Sequence, residues 1–228
     1  SRTGIGVLTG AAFGLGGVAL VWLGMLADRI GRKKTMIGGI VAASVFVAAH
    51  GLAMNPVALG ALRAASMASG GLLYPATGAL VAEEAPAKIR GLMTGLLQVA
   101  YPLGWFLASM LAVLVLADHG WRVLFIAGLI GLPFALVVKR AVRESSRFVA
   151  PAANAPRPSL GALFAPGIRR RTVTLFLAQY FFVIAYGGAF IFSPLYFHEA
   201  RGFDIAGTAT LVGLSNLIGV LGYFLAAW

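Results

Sequence analysis

Three short clusters of charge interrupt a chain that is otherwise apolar. The first, Asp28-Arg29-Ile-Gly31-Arg32-Lys33-Lys34, packs one acid and four bases into seven residues. The second runs Glu83-Glu84-Ala-Pro86-Ala-Lys88-Ile-Arg90, and the third is Arg143-Glu144-Ser-Ser-Arg147. Such groups make and break ion pairs. Asp28 falls where an apolar segment ends, and an acid near the negative carbonyl density of a helix C-terminus needs cationic partners. Arg29, Arg32 and Arg90 are the candidates, with Glu83 and Glu144 completing one network. Arg63 stands apart, inside an apolar stretch, where an ionised group is costly and marks a functional pathway or a buried pair. No enzyme is expected: no His/Asp/Glu or Ser/His constellation gathers at one boundary, and no P-loop occurs. With no cysteine, three histidines and seven scattered acids, neither a metal nor another cofactor is indicated.

The elements that position these charges are membrane helices. About 60% of the 228 residues are hydrophobic and only 11% charged, whereas soluble domains carry about a quarter charged residues. A helix needs roughly 20 apolar residues to cross the hydrocarbon core, and by that ruler seven spans are expected, near 4–27, 35–53, 56–82, 91–117, 121–140, 172–197 and 206–228. Asn55-Pro56 makes one tight turn, since proline starts a helix well, and Asp118-His119-Gly120 makes another. Pro151, Pro156 and Pro158 interrupt the long segment 141–171, where Leu160-Gly-Ala-Leu163-Phe164 reads as a short amphipathic turn on the membrane surface. The expected organisation is a helical bundle over 1–140, a linking loop over 141–171, and the start of a second bundle over 172–228.

Charge sets the orientation. The connections after the first, third and fifth spans hold Arg29, Arg32, Lys33, Lys34, Lys88, Arg90, Lys139, Arg140, Arg143, Arg147, Arg157, Arg169, Arg170 and Arg171, against Arg122 and Arg201 on the opposite side. The positive-inside rule puts 28–34, 83–90 and 141–171 in the cytoplasm, and the protein in the cell membrane as a multi-pass chain. The net charge of +11 is therefore topological, and nucleic acid is not an expected partner because no continuous basic face is present. Glycines inside the spans, such as Gly10, Gly14 and Gly91, read as sites of close helix packing.

The stretch Gly24-Met-Leu-Ala-Asp28-Arg29-Ile-Gly31-Arg32-Lys33 resembles the G-x-x-x-D-R-x-G-R-K signature of the major facilitator superfamily at every defined position. Glu83-Glu84-Ala-Pro86-Ala-Lys88-Ile-Arg90-Gly91 is similar to the E-x-x-P-x-x-x-R-G pattern of its sugar porters and organic-acid symporters, and Trp121-Arg122-Val-Leu-Phe125 to their W-R-x-x-F. Arg143-Glu144-Ser145-Ser146-Arg147 looks like P-E-S-P-R, with both prolines missing. The resemblance implies an all-α membrane fold of twelve helices, of which the spans are helices two to eight. The first helix and the last four are absent, so the chain reads as a fragment. It implies a transporter that is functional as a monomer when full length, with alternating access. Gly24, Asp28, Arg29, Gly31, Arg32, Lys33, Glu83, Arg90, Glu144 and Arg147 are then its gating charge network.

The implied function is secondary active transport of a small polar solute, an organic acid moved by proton symport, driven by a proton gradient and needing no cofactor. Arg63 is assigned to coupling or to structure. Solute contact is expected from Gln98, Tyr101, Gln179 and Tyr186, polar groups inside spans and paired by helical spacing on α-helical faces; Trp105 and Asn216 are weaker candidates. A sugar symporter or facilitator is the alternative, for which Gln98 speaks. An efflux antiporter fits less well, since Tyr101-Pro-Leu-Gly-Trp105 replaces the G-P-x-x-G-G expected there, and a non-transporting scaffold remains open. His50, buried in a span, reads as a neutral packing histidine, with a proton relay as the competing role.

Overall fold

A computed structural model describes residues 27–149 and 160–227, with isolated positions 6, 10, 11, 14 and 23 before them. Its elements are α1 (Arg32–Ala49), α2 (Pro56–Gly71), α3 (Leu73–Glu84), α4 (Arg90–Ile126), α5 (Gly131–Ala141), α6 (Ser146–Val149), α7 (Arg169–Tyr186), α8 (Ser193–Arg201) and α9 (Ile205–Ala227). No strand occurs among the described residues. The fold is an all-α membrane fold, as expected.

Among the described residues, five helical stretches are long and apolar enough to cross a bilayer: Arg32–Leu52, Pro56–Glu84, Arg90–Ala141, Arg169–Arg201 and Ile205–Leu225. The third has 52 residues, or about 78 Å at 1.5 Å per residue, more than twice the core thickness. It is two spans. Gly120, at φ 73° and ψ 173°, breaks it, in a region of backbone space that is essentially glycine's alone. Beyond that break the chain returns along α1. Arg122 O lies against Gly51, Gly128 against Val47, and Gly131 against Ser44 and Ile40. The expected spans 91–117 and 121–140 are thus separate, while most of 4–27 lies outside the described residues.

Local chemistry sets the other boundaries. Asn55 Oδ1 accepts from Ala58 N at 2.7 Å and Pro56 opens α2, the expected cap. α2 and α3 form one span, because Leu72 between them keeps helical angles. The expected surface turn is a 3₁₀ turn over Leu160–Phe164. The span read as 172–197 is not a regular helix: a π turn at Gly187–Ile191 separates α7 from α8. Gly202 ends α8 in the left-handed region, and Asp204 Oδ1 accepts from Gly207 N at 2.8 Å at the start of α9.

Packing is tight along α1. Ala27, Met36, Ala76 and Val138 form its buried cluster, flanked by Ile37, Ile40, Leu73 and Val142. The close helix approaches fall at Gly39, Gly51, Gly128, Gly131 and Gly213. Among the described residues, a Cβ at Gly10, Gly14 or Gly91, the glycines read as packing sites, meets nothing within 4 Å.

Candidate functional site

At the end of the helices that carries the run of bases, called here the inner end, Arg32 is the centre of the first site. It sits in the first turn of α1, where the run of bases leaves the membrane. Its Nη2 donates to Glu83 Oε1 at 3.0 Å and lies 3.1 Å from Asp28 Oδ1. The Arg32 and Glu83 side chains are only 14% and 13% exposed, whereas Asp28 is 57% exposed. The two pairs therefore differ in strength, since a screened surface pair contributes little. Arg32 also lies over the Phe148 ring, 5.7 Å from its centroid, and its Nε is buried without a hydrogen-bond partner among the described residues.

Glu144 completes this cluster from the segment after α5. Its Oε1 accepts from Lys33 N at 3.0 Å and from Ser145 N at 3.1 Å. A carboxylate at the first turn of α1 meets unpaired backbone N–H groups and the positive end of the helix dipole. Gly31, at φ 104°, leaves room for it: a Cβ there would run into the Glu144 carboxylate and come within 3.1 Å of Phe148. Ser145, fully buried, donates from Oγ to Glu83 Oε2. Ser146 donates from both N and Oγ to Glu84 Oε1 at 2.8 Å. The inner ends of α1 and α3 and the segment after α5 are tied together by these contacts.

Of the expected network, the structure brings together Asp28, Gly31, Arg32, Lys33, Glu83 and Glu144. Lys33 takes part through its backbone, and neither its side chain nor Arg29 enters an ion pair among the described residues. Arg90 turns back on its own chain, donating from Nε and Nη2 to Ala85 O at 3.3 and 3.2 Å. Gly24 and the Arg147 side chain lie outside the described residues. Sequence reasoning passed over Glu84, Ser145, Ser146 and Phe148 as members.

A second site lies deeper. Tyr101, Trp105, Tyr186, Phe190, Ile191, Val212 and Asn216 line a small open pocket. α4 supplies Tyr101 and Trp105, α9 supplies Val212 and Asn216, and the π turn after α7 supplies Phe190 and Ile191. The Tyr101 and Tyr186 rings stand 6.4 Å apart. Tyr186 stacks on Phe190 at 4.8 Å, and Trp105 meets Tyr101 edge-on at 6.5 Å. Asn216 is buried, and its Nδ2 donates to Val212 O at 2.9 Å. Tyr101 lies about 16 Å along α4 from Arg90, at 1.5 Å per residue, or about half the thickness of a ~30 Å hydrocarbon core.

Tyr101 and Tyr186 thus share one pocket. Gln98 and Gln179 do not line it; they sit one and two turns nearer the inner end on the same helix faces. Arg63 is partly buried in α2, its Nε without a partner and its guanidinium in no ion pair among the described residues. His50 is buried: Nδ1 faces Phe46 O at 2.7 Å and the ring stacks on Phe125 at 4.9 Å. Those contacts match a packing histidine.

Comparison with known proteins agrees with this architecture. The sequence profile of the Major Facilitator Superfamily matches residues 1–228. The chain is 33% identical to the cis,cis-muconate transport protein of Acinetobacter baylyi over 61% of its own length and 33% of that protein's. It is 29% identical to the niacin transporter NiaP of the same organism, over 95% of this chain and 56% of that one. With the gallate transporter of Pseudomonas putida it shares 33% identity, over 74% and 39% of the two chains. The chain spans between a third and about half of the length of these curated relatives.

Proposed function

The chain belongs to the major facilitator superfamily, and from that premise we propose that it serves as a secondary transporter of small organic acids, moved with protons by alternating access. The observation that carries this reading is the half-buried Arg32–Glu83 pair at the inner membrane boundary. It ties inner helix ends of the first bundle into one unit, and rigid-body rocking of such units around a midplane site is how such helical repeats open. A charge-assisted hydrogen bond in a partly dry site holds those ends together more firmly than an exposed pair does.

The solute class follows from the relatives and from charge. Muconate and gallate, the solutes named for two of the relatives, are carboxylates. Arg63, some 20 residues from Glu83, is a cation with no acidic partner among the described residues. An anion is the chemistry that such a group attracts. The aromatic lining, which leaves Gln98 and Gln179 outside, favours an acid over a sugar.

The test is uptake by the full-length protein in proteoliposomes. Accumulation of benzoate or muconate when the outside is made more acidic, abolished by a protonophore, is the expected result. No accumulation of any carboxylate under any gradient would sink the reading.

A further inference from the structure

Resting on the alternating-access reading above, we propose that the buried hydroxyl of Thr208 sets how readily α4 and α9 part at their outer ends. The hydroxyl is left without a partner while the two helices are closed together and is hydrated when they separate.

Thr208 is the exception among the buried hydroxyls. Five are buried among the described residues: Thr35, Ser44, Ser69, Ser145 and Thr208. Thr35 donates to Gly31 O, Ser44 to Ile40 O and Ser69 to Ala65 O, each at 2.7 Å and each to the carbonyl one turn back. Ser145 donates to Glu83. The backward bond is a common way for a helix to carry a hydroxyl in an apolar setting. Thr208 makes no such bond. Its N donates to Asp204 O at 2.9 Å, so the carbonyl one turn back is in place, yet its Oγ1 is buried without a hydrogen-bond partner among the described residues. A hydroxyl left so in a membrane interior is costly.

Its position says what that cost acts on. Thr208, Val212 and Asn216 follow at four-residue steps and share the buried face of α9. Val212 and Asn216 line the pocket with Tyr101 and Trp105 of α4. At Gly213 the two helices close up: a Cβ there would come within 2.9 Å of Met110 Cε, 3.1 Å of Ser109 Cβ and 3.6 Å of Phe106 Cδ2. Those three residues follow Trp105 along α4, away from the inner end, while Gly213 and Thr208 precede Asn216 on α9, which runs the opposite way. The seam therefore lies on the outer side of the pocket, with Thr208 at its far end. It joins a helix that precedes segment 141–171 to one that follows it, and such parts move against each other in alternating access. Water entering the parted seam bonds the hydroxyl. The hydroxyl thus disfavours the closed state alone, and only a difference between two states can shift their balance.

The test is labelling of the full-length protein with cysteine in place of Ser109, a near-isosteric change at the seam. These 228 residues contain no cysteine, and the same protein without S109C supplies the background. A membrane-impermeant maleimide is added at the outer face. Thr208→Val keeps the shape of the side chain and removes the hydroxyl, so labelling should slow about five- to hundredfold. Gly213→Val wedges Ser109 and Met110 away and should speed it. Thermal melting checks that each variant is folded. T208V labelled at the parent's rate, even with a raised melting temperature, would overturn the proposal, since it would mark the hydroxyl as a cost to folding and not to closure. G213V labelled at the parent's rate would overturn it too, because the seam would then not be what opens. Either result with carboxylate uptake by the parent intact leaves transport standing, whereas loss of both labelling and uptake sinks alternating access as well.

Discussion

Glu83→Gln is the sharpest perturbation of the inner-face cluster. It keeps the shape of the side chain and an oxygen to accept from Arg32, and removes only the charge. Arg32 Nη2 is 3.0 Å from Glu83 Oε1, with both side chains about one-seventh exposed. Asp28 offers Arg32 nearly the same distance, 3.1 Å, but is 57% exposed. A charge-assisted hydrogen bond in a partly dry site contributes about 1.5–3 kcal/mol, an exposed pair about 0–1. Removing Glu83's charge also strands an arginine whose Nε already lacks a partner, which pushes the loss toward the upper half of that range. E83Q should therefore lower the stability of the full-length protein by about 2–3 kcal/mol, and D28N by less than about 1 kcal/mol. Thermal melting of each variant measures the loss. A double-mutant cycle then isolates the pair: R32Q and E83Q should be strongly non-additive, R32Q and D28N nearly additive. An E83Q melting temperature equal to the parent's, or a larger loss for D28N than for E83Q, would refute the argument that burial ranks these two pairs.

Other outcomes follow from single positions. Gly120→Ala should lower thermal stability by about 1–3 kcal/mol through backbone strain alone, because a Cβ there touches nothing within 4 Å among the described residues; Gly38→Ala, equally open but helical, should instead raise stability by about 0.4–1 kcal/mol in the same melting assay. Gly131→Ala should cost about 1–3 kcal/mol from overpacking, since its Cβ would meet Ser44 Oγ, which already donates to Ile40 O at 2.7 Å; adding S44A should recover much of the loss. Arg63→Gln should slow uptake of acids far more than it changes melting temperature, and its effect should shrink as ionic strength rises; equal slowing of a neutral solute would speak for a structural role instead.

The membrane boundaries were legible in sequence because each is written in consecutive residues. A run of bases, an Asn-Pro turn or a polar octet announces itself without tertiary information. The inner cluster was half legible for the same reason. Asp28, Arg32, Glu83 and Glu144 carry charge, and charge at a boundary needs partners. The donors that complete it do not: Lys33, Ser145 and Ser146 contribute backbone N–H groups, which every residue possesses and no pattern marks. The absence of proline at Ser146 was visible, yet its consequence was not. A serine there retains the N–H that proline lacks, and that N–H, with Oγ, binds Glu84. Arg90 misled in the opposite direction, because a long side chain at a helix start can satisfy itself on the preceding carbonyl as readily as on an acid.

The pocket was harder to read, and the reason is the register of one helix. Tyr186 follows Gln179 by seven residues, so helical spacing correctly puts them on one face, but it says nothing of depth, and the pocket lies two turns above the glutamine. Past Tyr186 the spacing rule fails. The π turn over Gly187–Ile191 accommodates an extra residue, which rotates everything after it by about 100° relative to a continuous α-helix. Neighbours in sequence, Phe190 and Ile191, both reach the lining, and Tyr186 and Phe190 stack. Two adjacent glycines, Gly187 and Gly188, were the available signal, since glycine tolerates such a distortion with little steric penalty. A regular helix there would turn one of the two lining residues away. The irregular turn and the aromatic wall are therefore one feature, and a π turn at membrane depth is placed where it lines a cavity and not where it faces lipid.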